Sequence, residues 1–222
     1  MDTVLLIAGI MLALVPAMTL HEAAHAYAAK WAGDTTAYDA GRLSLNPWVH
    51  VDVKMTLLLP LVMMVIGILL FGLPVLFAAA KPVPFDPRNF RSFRRDLAIV
   101  ALAGPASNFV IGWFFALLAG FTIFMGYGGT PEEPSLFIQF CALNMFINAI
   151  LMVFNLIPIP PLDGSRVVTA ILPARLMGIY NSIEPYGIII LIVLLLMGGF
   201  QYIVPLLDGA VKLWAMLTPF SV

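Results

Sequence analysis

The chain has 222 residues, 62% of them hydrophobic and only 10% charged, with a net charge of −1 and a mean hydropathy of +1.01. That composition leaves no room for an extramembrane domain of ordinary size, and reads as an all-α polytopic membrane protein surrounded by the lipid bilayer. The charge balance gives no reason to expect nucleic acid as a partner, and the single Cys141 excludes an internal disulfide.

The first apolar run extends from about Thr3 to Ala29 and carries no charge between Thr3 and Leu20. A signal peptide is the competing reading, since Ala26-Tyr27-Ala28 mimics a cleavage site. Only Asp2 precedes the run and the first lysine is Lys30, so the basic leader such a peptide needs is missing and a helix is expected. At its end stands His21-Glu22-Ala23-Ala24-His25. Histidines four apart project from one helix face about one turn apart, so both imidazoles can ligate one zinc while Glu22 reaches a bound water. The plain alternative is a pair of interfacial residues at a helix end. Ionisable groups at membrane depth are costly without a function, which favours the zinc site.

Gly33 to Asp52 is polar, and the alternation in Arg42-Leu43-Ser44-Leu45 before Asn46-Pro47 predicts a short β-hairpin over about 33–52. The second apolar run, Met55 to Ala80, contains Pro60, Gly67 and a Gly72-Leu73-Pro74 break. Breaks of this kind suit a re-entrant segment over 55–80 rather than a straight span. Further runs cover Leu97 to Met125, Leu136 to Ile157 and Tyr186 to Tyr202. About four spanning helices are expected. The whole of 1–222 reads as one integral-membrane domain, with a core over 1–182 and a C-terminal helix and amphipathic tail over 183–222.

A zinc site needs a third protein ligand. Asp163 is the best candidate, delivered by the stiff segment Pro158-Ile159-Pro160-Pro161-Leu162-Asp163-Gly164 that ends an apolar helix. Taken alone, Asp-Gly after a helix stop is more often a turn. His50, in Asn46-Pro47-Trp48-Val49-His50, is the rival ligand, although a loop histidine is usually a surface or hydrogen-bonded group.

Three separated patterns now match one family. The chain resembles the site-2 protease family of intramembrane zinc metalloproteases in His21-Glu22-Ala23-Ala24-His25, in Ala103-Gly104-Pro105-Ala106-Ser107-Asn108, and in Asn155 through Gly164. Smaller matches at Gly41 to Pro47 and Lys81-Pro82-Val83-Pro84 are similar to its compact members without PDZ or CBS domains. Ala24 stands where many relatives carry Gly, a difference of one methyl. The resemblance implies that His21, His25 and Asp163 bind one Zn2+ per chain, that Glu22 is the catalytic base, and that Asn155 binds the oxyanion or the substrate backbone. It implies hydrolysis of peptide bonds within or near transmembrane segments of membrane-protein substrates. A helical substrate must unwind to expose its backbone, and the hairpin edge is a surface on which the unwound strand could pair.

Two other classes fit the composition. A zinc-binding transporter should carry acidic or histidine residues along several helices, and here the other runs are nearly free of them. A non-catalytic scaffold has no use for a glutamate between two histidines.

Charge orients the chain. On the side where the His21 helix ends lie ten of the eleven basic residues, whereas the opposite loop, Gly126 to Ser135, has only Glu132 and Glu133. The active side is therefore expected in the cytoplasm, with the N-terminus outside. Parity between the His21 helix and the helix ending near Ile157 then requires 55–80 to enter and leave on one side, against the single crossing that hydropathy alone gives.

Overall fold

The computed structural model describes residues 3–71, 78 and 80–220. Helix α1 covers Thr3–Ala32, and its buried residues Ile10, Leu14, Ala17, His21, His25, Ala29 and Ala32 recur every three or four positions. The histidines therefore lie on the stripe that packs against the bundle, not on the lipid face.

The segment after α1 is not a hairpin. Among the described residues no strand forms there; two single-turn helices do, α2 at Thr36–Asp39 and α3 at Pro47–His50. The reason is local. Asn46 caps α3, its side chain accepting the Trp48 N–H, with Pro47 in the first turn, where its missing donor costs nothing. Between the two, Arg42 to Leu45 forms neither helix nor strand, and the chain on either side is coiled into turns.

Next comes a π-helical turn, Val53–Leu58, running into α4 at Leu59–Phe71. Neither Pro60 nor Gly67 breaks this rod. Pro60 falls where the π turn passes into α4, where the helix already departs from the regular i→i−4 ladder, and a glycine inside a helix costs only about 1 kcal/mol. The expected break at Gly72-Leu73-Pro74 lies outside the described residues. The ends of the segment are described: the Lys81 N–H donates to the His50 carbonyl at 3.0 Å, so the chain returns at residue 81 to the place it left at residue 50. Ala78 and Ala80 pack against the cluster that contains Ile10, Leu14 and Met18 of α1 together with Met64 and Ile147.

Helix α5, Phe93–Phe124, is the central post, packed against α1, against α6 at Leu136–Asn155, and against α7 at Asp163–Ile171. Small residues on its buried face, among them Ala101, Gly104, Gly112 and Ala116, permit the close approach that helix association in lipid depends on. Helix α8, Ala174–Asn181, leads through a 3-10 turn into α9, Gly187–Leu194, and α10 covers Phe200–Met216. Trp214 of α10 is fully buried in a cluster with Ala116 and Ala149. By length and composition, five helices among the described residues can cross a membrane: Thr3–Ala32, Val53–Leu70, Phe93–Phe124, Leu136–Asn155 and Ala174–Gly199.

Candidate metal centre

The α1 stripe turns His21 and His25 toward α5, with both side chains almost fully buried. Their Nε2 atoms stand 3.1 Å apart. Asp163, the first residue of α7, brings Oδ2 to 3.1 Å from His21 Nε2 and 3.2 Å from His25 Nε2. Two glycines make this convergence sterically possible. A Cβ on Gly104 would lie 2.4 Å from His25 Nε2 and 2.6 Å from His21 Nε2, and a Cβ on Gly164 would lie 2.3 Å from the Leu156 carbonyl oxygen. Gly104 makes room for the imidazoles against α5, and Gly164 lets α7 fold back onto the end of α6.

The donor set suits zinc. Two imidazole nitrogens and one carboxylate oxygen are a common catalytic zinc set, and tetrahedral bonds of 2.0–2.2 Å would separate neighbouring ligand atoms by roughly 3.3–3.6 Å, a few tenths of an ångström beyond the separations here. The observed separations are 3.1 to 3.2 Å. His25 Nδ1 is 2.7 Å from the Val100 carbonyl. A carbonyl only accepts, so His25 carries its proton on Nδ1 and aims a lone pair from Nε2 at the other two groups. Among the described residues this is the cluster whose three ligand atoms could hold a metal.

Glu22 lies beside the cluster rather than in it. Its Oε2 accepts the Val83 N–H at 2.9 Å, a contact with the irregular segment Lys81 to Pro84. The buried Arg42 donates to the Lys81 carbonyl at 2.6 Å. Burial lowers the Arg42 pKa, and the charge of Glu22 opposes that loss. The Lys81-Pro82-Val83-Pro84 segment is therefore held to Glu22 at Val83 and to Arg42 at Lys81.

His50, the rival ligand, is placed elsewhere. It is buried with Nε2 2.7 Å from the Ser44 carbonyl, a structural contact that helps hold the turn before α3. Asn155 ends α6 and donates its amide to the Leu151 carbonyl at 2.9 Å, so it is near α7 but committed to its own helix. Sequence reasoning gave no role to Asn108 and passed over Asn148. Asn108 Oδ1 is 2.6 Å from His21 Nδ1, and the Asn108 amide donates to Asn148 at 2.9 Å. A signal was present: Asn144 and Asn148 are four apart in an apolar helix, and polar groups at that spacing share one face.

Comparison with known proteins agrees with this geometry. Peptidase family M50 matches residues 123–198, a stretch that includes Asp163 but not the histidines. A protein of Bacillus subtilis named "Putative zinc metalloprotease YwhC" is 34% identical over 215 residues, covering 94% of this chain and 85% of the relative. One of Mycolicibacterium smegmatis named "Putative zinc metalloprotease Rip2" is 29% identical over 198 residues, covering 87% of this chain and 67% of the relative. No solved structure matches. A relative similar over nearly the whole length, together with a helical bundle that gathers two histidines and an aspartate, identifies the chain as a zinc metalloprotease of the membrane, a member of peptidase family M50, the site-2 proteases.

Proposed function

We propose that this enzyme cleaves peptide bonds within or near transmembrane segments of membrane-protein substrates, using one zinc held by His21, His25 and Asp163. The observation that carries the reading is depth. His21 and His25 follow directly on an uncharged stretch of α1, Thr3 to Leu20, that spans about 27 Å at 1.5 Å per residue, close to the hydrocarbon thickness of a bilayer. Their Nε2 atoms, which meet Asp163 Oδ2 of α7, therefore lie at membrane level toward one edge of the bilayer. A substrate helix passing through lipid reaches such a site once it unwinds locally.

A zinc ion held by His21, His25 and Asp163 would lower the pKa of a water bound to it to about 7 and would polarise the scissile carbonyl. The chain supplies the rest. Glu22 takes a proton from the attacking water and returns it to the leaving amine. The Val83 N–H bonded to Oε2 holds that carboxylate to one side of the ligands. Asn155, after turning its amide away from Leu151, hydrogen-bonds the developing oxyanion or the substrate backbone. The active side faces the cytoplasm, on the strength of the basic loops around it.

The test is Glu22→Gln in the purified full-length protein, assayed on a single-span substrate. An amide cannot accept the water proton, so zinc content and fold are expected to be unchanged while cleavage is lost. Undiminished cleavage would refute the assignment.

A further inference from the structure

The asparagines beside the site form a directed chain of hydrogen bonds across three helices. The Asn148 amide donates to the Asn144 backbone carbonyl at 2.9 Å. A backbone carbonyl has no proton to give, so the Asn148 Nδ2 must face it and Oδ1 must face the other way. Asn148 Oδ1 then accepts from Asn108 Nδ2 at 2.9 Å, which leaves Asn108 Oδ1 as the atom 2.6 Å from His21 Nδ1. An oxygen there requires the imidazole proton on Nδ1, and the His21 lone pair is left on Nε2, pointing at His25 and Asp163. Asn108 and Asn148 are wholly buried, so no solvent competes for these bonds and neither amide can turn without leaving a donor unpaired.

We propose that Asn148, which touches none of the three ligands, is a positioning residue that selects the metal-binding tautomer of His21 by fixing which end of the Asn108 amide meets the imidazole. Without Asn148 the Asn108 amide can flip and offer its NH2 to Nδ1. His21 would then carry its proton on Nε2, where it cannot bind a metal. His25 needs no such device, because the Val100 carbonyl fixes its tautomer directly.

The inference rests on the reading of His21, His25 and Asp163 as ligands, and the test separates the two. Zinc affinity of the full-length protein in detergent is measured by competition with a chromophoric chelator. Asn148→Leu is expected to weaken zinc binding about 10- to 100-fold, the usual consequence of losing a group that orients a ligand. Adding Asn108→Asp should restore affinity to within a few-fold of wild type, since a carboxylate presents an oxygen to His21 whichever way it turns. Wild-type affinity in Asn148→Leu, or no rescue in the double variant, would overturn the proposal. Should Asn148→Leu fail to fold, 15N-histidine spectra of the zinc-free wild-type protein decide: a proton on His21 Nδ1 supports the chain, and one on Nε2 defeats it. Loss of zinc in His25→Ala beside an unaffected Asn148→Leu defeats this inference alone, whereas unchanged zinc in His25→Ala defeats the ligand assignment itself.

Discussion

Adding one methyl group at Gly104 should remove zinc while His21, His25 and Asp163 all remain in the chain. The Cβ of Gly104→Ala would stand 2.4 Å from His25 Nε2 and 2.6 Å from both Cε1 and Nε2 of His21. Non-bonded heavy atoms sit comfortably at roughly 3.5 Å, so the imidazoles must retreat by about 1 Å. Metal sites tolerate about 0.2 Å in their bond lengths, so the displacement exceeds the tolerance several-fold. Overpacking of this kind costs about 1–3 kcal/mol in fold stability, and the loss of zinc affinity is expected to be at least 100-fold. Gly112→Ala is the matched control: its Cβ would meet the Trp214 ring at 2.3 Å, an equal overlap between α5 and α10 and not at the ligands. Thermal unfolding and chelator competition are measured on both. Both should lose stability, and only Gly104→Ala should lose zinc. Wild-type zinc affinity in Gly104→Ala, with its fold intact, would refute the steric reasoning, and equal zinc loss in both would show that general destabilisation is enough to empty the site.

Other expectations follow from the same geometry. Asp163→Ala should weaken zinc binding far more than His50→Ala, because only the first removes an oxygen from the cluster while His50 holds the Ser44 carbonyl; equal losses by chelator competition would contradict this. Asp34 is fully buried and accepts from the Thr36 N–H and hydroxyl, the Asn89 amide and the Asp86 N–H. Asp34→Asn leaves at least one of these donors unpaired and should cost about 1–3 kcal/mol in thermal or denaturant unfolding. Burial raises the Asp34 pKa, but those hydrogen bonds outweigh it and bring the pKa below its ordinary value. The stability this gives is present above about pH 4, the unfolded-state value, and is lost as pH falls through the lower folded value; an unfolding profile flat across that acid range would count against it. In a Cys141→Ser background, cysteines at positions 54 and 86 should label from the same side of the membrane, because Lys81 returns to His50; labelling from opposite sides would mean a single crossing.

Much of this enzyme is legible along the chain because the bilayer imposes a one-dimensional rule. Apolar runs long enough to cross lipid must be helices, and four of the five spanning candidates coincide with runs evident in the sequence, the fifth beginning earlier, at Ala174. The spacing of His21 and His25 places them on one face by helix geometry alone. Asp163 could be singled out because prolines leave few ways for an acidic group to reach such depth. The hairpin expected over 33–52 failed for a reason that alternation cannot reveal. A strand exists only with a partner, and the residues on either side of Arg42 to Leu45 satisfy their backbone in short turns instead. Tertiary structure also decided what lies around the His21, His25 and Asp163 cluster. Gly104 matters because α5 runs against the α1 stripe, Val83 because the segment after Lys81 lies against Glu22, and Asn148 because α6 touches α5 at Asn108. Each of these is a contact between residues 40 to 83 positions apart, and no local pattern encodes it. The shared face of the two histidines follows from helix periodicity, while the groups that touch them depend on which helices become neighbours.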